Sequence, residues 1–160
     1  GEPNTAAALL PELPPPAAPS HRSWWPLPRW DGEPVLDEDP ARRIQPYIMP
    51  RRSDSLAYFD ATYDVSRTLP WLAAFNRANP ARQATFFDLF LWAVAYTNHM
   101  RPGLNRFVSG GRVYQRNHVA ISFMAKTTFE LNAPAKTIKV EFPRGDSLAS
   151  TAERVACAVA

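Results

Sequence analysis

The chain has three histidines and one cysteine, and these with its arginines are the side chains most able to do acid–base, nucleophilic or anion-binding work. His118 follows Arg116 and Asn117 and opens an alternating apolar run. By residue type alone, Arg116, Asn117 and His118 read as exposed strand-end residues, because no Glu, Asp or second His stands at a fixed spacing to orient the His118 ring as a base. His99 closes an apolar helical run, where imidazole suits the negative end of the helix dipole. His21 lies in a proline-rich arm and is expected in solvent. Cys157 sits among small apolar residues with nothing nearby in sequence to lower its pKa, so a buried, inert thiol is expected. No His, Cys or carboxylate cluster has metal-ligand spacing, so no metal is expected. Gly110-Gly111 comes without a GxGxxG pattern or a P-loop lysine and reads as a turn, not a phosphate loop.

Composition narrows the function classes. The net charge of +3 is spread over arginines interleaved with acidic residues, the pattern of a solvated surface, so neither nucleic acid nor membrane is an expected partner. No apolar run of the length needed to span a bilayer occurs, and no basic-then-apolar secretory signal opens the chain. A single cysteine allows no internal disulfide, which fits a reducing compartment, the cytoplasm or the mitochondrial matrix. The start at Gly1 and the end within a helical pattern read as a processed or cut chain.

The elements that must position these residues follow from punctuation and period. Residues 1–50 carry twelve prolines, eleven of them from Pro11 to Pro50, which argues against any helix or central strand there. Residues 1–43 therefore read as an extended Pro/Ala/Trp-rich arm, and residues 44–160 as the folded part. Trp24, Trp25 and Trp30 give the arm more apolar surface than a linker carries, and they are the candidate interface residues. They pack either on their own domain or in a groove of a neighbouring subunit.

Within the folded part, residues 56–65 alternate and predict a half-buried strand. Asp64 or Ser66 is then expected to cap a helix carrying Leu69, Leu72 and Phe75. Thr85, with Asp88 three residues on, predicts a capped helix whose body is apolar almost all round and so buried on several sides. Strands are expected over 104–108, 111–116, 118–125 and 137–142, the first two joined by Ser109-Gly110-Gly111. Asp146 or Ser147 is expected to cap a last helix with Leu148, Ala152, Val155 and Val159 on one stripe. This order predicts an α+β fold with helices flanking a mixed sheet.

Three motifs go beyond propensity: Met-Pro-Arg-Arg-Ser-Asp-Ser at 49–55 with Asp-Val-Ser at 64–66, Arg-Pro-Gly-Leu-Asn-Arg-Phe-Val at 101–108, and Tyr-Gln-Arg-Asn at 114–117. Together they resemble the N-terminal half of the catalytic domain of 2-oxoacid dehydrogenase acyltransferases, in the chloramphenicol acetyltransferase-like superfamily. The resemblance runs from about Arg43 to Val155. It implies half of a mixed-sheet domain, coenzyme A as a substrate of the complete domain, and a trimer-based homo-oligomer or a larger protein assembly. It also implies acyl transfer to a thiol or hydroxyl, with a histidine as general base. In the family this hairpin and the strand after it stand beside the substrate channel, so the resemblance makes Arg116, Asn117 and His118 the candidate substrate contacts. The family's His-His-x-x-x-Asp motif has no match in these residues, so no catalytic residue is carried over. The alternative is a catalytically inactive acyltransferase-like structural subunit of a larger assembly.

Overall fold

The structure, a computed structural model, describes residues 12–13, 15, 29–126 and 134–159. Among these the chain is α+β, with four α-helices and two small antiparallel sheets. The order is β1 (Gly32–Pro34), α1 (Pro40–Ile48), α2 (Thr68–Ala78), α3 (Phe86–Met100), β2 (Arg106–Ser109), β3 (Arg112–Arg116), β4 (Ala120–Lys126), β5 (Ala135–Glu141) and α4 (Leu148–Val159). Short 3-10 turns occupy Arg52–Ser55 and Pro102–Asn105.

Local chemistry explains most of these boundaries. Thr85 and Asp88 form the reciprocal cap at the start of α3: the Thr85 hydroxyl accepts from the Asp88 amide at 3.2 Å, and the Asp88 carboxylate accepts from the Thr85 amide at 2.8 Å. Truncating Asp88 to alanine orphans that amide and is expected to cost about 1–2 kcal/mol in a denaturation midpoint analysis. Ser147 and Ser150 exchange the same kind of bonds ahead of α4, at 3.0 and 3.2 Å. Gly110 and Gly111, with φ of 58° and 71°, make the left-handed turn that joins β2 to β3.

The first sheet has the order β1-β3-β2, all antiparallel, with Phe107, Tyr114 and Pro34 in one row. Gly32 is required at its edge, because a Cβ there would come within 2.7 Å of the Gln115 carbonyl oxygen and of the Phe107 ring. The second sheet pairs β4 with β5 from Ala120–Glu141 to Lys126–Ala135. Leu91 and Ala95 of α3, Val119, Ile138, Val140 and Phe142, and Val155 of α4 form its core. Leu72, Ala84, Leu148 and Ala152 form a second cluster where α2 and α4 meet. The Trp92 indole N–H, donating to the Asp146 carbonyl at 2.8 Å, ties α3 to the start of α4.

The hydroxyl of Thr151 is buried in this core with no hydrogen-bond partner among the described residues. Thr151→Val keeps the shape and removes the orphan group, so stability is expected to rise by about 1 kcal/mol, read from a urea midpoint.

Several expectations are corrected. A helix does run through the proline-rich region, across the expected boundary at 43/44: Pro40 stands at its first turn, where no donor is lost, and Pro46 removes a single internal bond. Asp39 caps it by accepting from the Ala41 amide at 2.7 Å. The strand expected over 56–65 does not form, because no strand among the described residues pairs with it and a period-2 pattern needs a partner ladder. The expected mixed sheet is instead two antiparallel sheets, separated at Asn117-His118. Asp64 binds the Ser66 amide at 2.8 Å and closes a local turn, so α2 begins later, after Arg67, with no side-chain cap. α3 packs on both clusters, Leu91 and Ala95 in the first and Leu89 and Trp92 against the second, and leaves Phe86, Phe87 and Phe90 exposed. α4 buries Leu148, Thr151, Ala152 and Val155, and Val159 is exposed. Cys157, about 200° around that helix from Val155, is exposed rather than buried.

Candidate functional site

A cleft of about 480 Å³ opens between β1 and its following loop, the C-terminal end of α3, the β3–β4 junction and Arg144. The sequence-predicted residues Arg116, Asn117 and His118 all line it. Two residues from elsewhere join them, His99 and Arg144.

The alternation of β3 divides the work of its side chains. Gln115 faces the cleft and accepts from the Arg106 Nε at 3.2 Å. Arg116, one residue on, points to the opposite face, where its guanidinium lies 4.6 Å over the Phe107 ring. Arg116 thus helps build the sheet, and its side chain is already occupied. The Asn117 side chain donates to the Trp30 carbonyl at 3.3 Å, which ties the described end of the arm to the site.

A chain of polar contacts holds the cleft floor. Glu38, with only 7% of its side chain exposed, ion-pairs with Arg106 and lies 3.6 Å from Arg42. Gln115 passes the order on by donating to the Asn105 carbonyl at 3.1 Å, and Asn105 donates to the His118 carbonyl at 3.0 Å. His118 therefore has a fixed backbone, and its Nε2 lies 3.5 Å from the Glu141 carboxylate. Sequence spacing gave no carboxylate beside His118. The β4–β5 register supplies one, since Glu141 pairs with Ala120. His99 does not simply sit on its helix end: its Nε2 donates to the Phe142 carbonyl at 2.9 Å, which leaves Nδ1 as an acceptor in the neutral ring. Arg144 is exposed and has no hydrogen-bond or ion-pair partner among the described residues. No sequence signal marked Arg144 or paired His99 with it. Both come into the cleft through the docking of β5 on α3.

At the sheet edge, Arg29 grips Asp31 with Nε at 2.8 Å and Nη2 at 3.2 Å. The same guanidinium donates to the Ser109 hydroxyl at 3.1 Å and lies over Phe107 and Tyr114. Its hydrogen bonds hold the Asp31 carboxyl below the ordinary carboxylate range. A depressed folded-state pKa favours folding above the unfolded value and loses that contribution as pH falls through the folded one. An NMR titration is therefore expected to place Asp31 below an ordinary aspartate, and to move it upward in Arg29→Gln.

Trp30 is exposed; Trp24, Trp25 and His21 lie outside the described residues. The arrangement offers imidazole nitrogens, amides and one unpaired guanidinium to a polar ligand. Cys157 does not line the cleft, so no thiol nucleophile is present there. Among the described residues no group of three or more His, Cys, Asp or Glu is placed to hold a metal, and no helix is long and apolar enough to cross a membrane.

The class these features define is an α+β protein with an open polar cleft. Comparison with known proteins adds no narrower class: no family model, no curated protein and no solved structure matches the chain.

Proposed function

We propose that this chain is the N-terminal part of a coenzyme-A-dependent acyltransferase domain of the 2-oxoacid dehydrogenase type. The observation that carries the reading is where the resembling motifs converge. Pro102, Asn105, Arg106, Arg116 and Asn117 line the polar cleft, while Met49, Ser55, Gly103, Phe107 and Val108 line a second pocket of about 320 Å³ that shares Arg106 as a wall. Residues far apart in the chain thus border adjoining cavities, as the walls of one substrate channel would. In this reading coenzyme A is the acyl donor, the complete domain works in a trimer-based assembly in a reducing compartment, and the His-His-x-x-x-Asp base belongs to sequence other than these residues.

The purified 160-residue chain is accordingly expected to transfer no acyl group from acetyl-coenzyme A to a dithiol acceptor above the uncatalysed rate. Turnover at an enzymatic rate would end the reading, because the base would then have to lie within these residues.

A second reading is favoured by the exposed aromatic row Phe86, Phe87 and Phe90 on α3. Apolar surface of this kind marks a face that another protein surface covers, and an inactive structural subunit of a larger assembly would need one. A stable, soluble monomer at high concentration would count against it.

A further inference from the structure

Residues 56–64 are exposed at every position, with Tyr58 at 94%, Phe59 at 88% and Tyr63 at 77% exposure. No described residue hydrogen-bonds to residues 57–63, and the segment contains neither helix nor turn. Leu56 at its start already has extended dihedrals, φ −74° and ψ 125°. A β-competent segment with its backbone groups unpaired is a template for another strand.

We propose that two copies of this chain associate by antiparallel pairing of residues 57–65 about a two-fold axis through Ala61. A two-fold interface is isologous, so each residue must suit its opposite number in the same segment. Opposite residues share a face, which requires them to be both odd- or both even-numbered. Centred on Ala61, one face sets Ala57 against Val65, Phe59 against Tyr63, and Ala61 against itself. The other face sets Tyr58 against Asp64 and Asp60 against Thr62, so each carboxylate meets a hydroxyl.

The neighbouring registers fail on charge. Centring on Asp60 opposes that carboxylate to its own copy, and centring on Thr62 opposes Asp60 to Asp64; like charges directly opposite destabilise a sheet. The register through Ala61 avoids both clashes and gives two Phe–Tyr cross-strand pairs. The second copy is thus the occupant that the segment's own sequence matches. This association does not depend on the acyltransferase reading.

The test is cross-linking of the 160-residue chain in a Cys157→Ser background, which removes the native thiol. In Ala61→Cys the two thiols would be directly opposite, at about 4.5–5.5 Å between Cα atoms, within disulfide reach. In Ala57→Cys they would be about eight positions apart along the ladder, roughly 26 Å. Mild oxidation is expected to give at least about ten times more disulfide-linked dimer from Ala61→Cys than from Ala57→Cys, given that separation. Sedimentation of Phe59→Asp is expected to show a monomer at concentrations where the parent chain is a dimer. Equal cross-linking at both positions would mean parallel pairing and overturn the proposal. No cross-linking at either, or a dimer that survives Phe59→Asp, would overturn it as well. All these positions are exposed, so an unchanged far-ultraviolet spectrum is expected in each variant.

Discussion

Phe142→Ala is expected to destabilise the protein by about 3–5 kcal/mol, the loss typical of a buried phenylalanine. Phe142 is 1% exposed and belongs to the core that joins α3, β5 and α4. Its backbone also links the cleft to that core. The amide donates to the Val119 carbonyl at 2.8 Å, and the carbonyl accepts from His99 at 2.9 Å. A cavity at the ring would therefore loosen the segment that anchors the His99 ring and leads to Arg144. Because a small domain's whole stability is about 5–15 kcal/mol, the variant is expected to unfold at a much lower urea midpoint. A loss below about 1 kcal/mol would contradict a close-packed ring at this position.

Glu38→Ala is expected to cost about 2–3 kcal/mol, because it leaves the partly buried Arg106 guanidinium without its counter-charge. The single change removes the carboxylate that also faces Arg42, so α1 and the β2–β3 hairpin lose their shared anchor. Removing Arg106 as well, in Glu38→Ala with Arg106→Ala, is expected to recover part of the loss, since neither charge is then stranded. A double-mutant cycle in urea measures this. A coupling energy near zero would mean that the pair is solvent-screened and that the cleft floor does not depend on it.

The parts of this fold legible in the sequence are those decided within a few residues. The Thr85–Asp88 cap, the Gly110-Gly111 turn and the alternation at Ile138, Val140 and Phe142 each depend on short-range chemistry and stand close to where the pattern puts them. Residues 56–65 failed for a physical reason: alternation shows that a segment can be a strand, but the ladder that makes it one is supplied by another chain segment. The helix at Pro40–Ile48 was hidden because proline counts ignore position, and Pro40 stands where its missing donor costs nothing. Cys157 has small apolar neighbours in sequence, yet two residues from the buried Val155 on a helix is the far face.

The candidate site was half legible. Arg116, Asn117 and His118 do line one cleft. What local sequence left out was the division between them, since the Arg116 side chain stacks on Phe107 while His118 meets Glu141 across two strands. Such partners depend on strand register between segments far apart in the chain. The same holds for His99, whose ring nitrogen meets a carbonyl at Phe142.

The most direct test of the acyltransferase reading is the intact mass of the native protein from its source. The account predicts a mass well above the 17.9 kDa of these residues, with a His-His-x-x-x-Asp sequence in the additional length. A native mass equal to 17.9 kDa would contradict it and leave the inactive structural subunit as the standing interpretation.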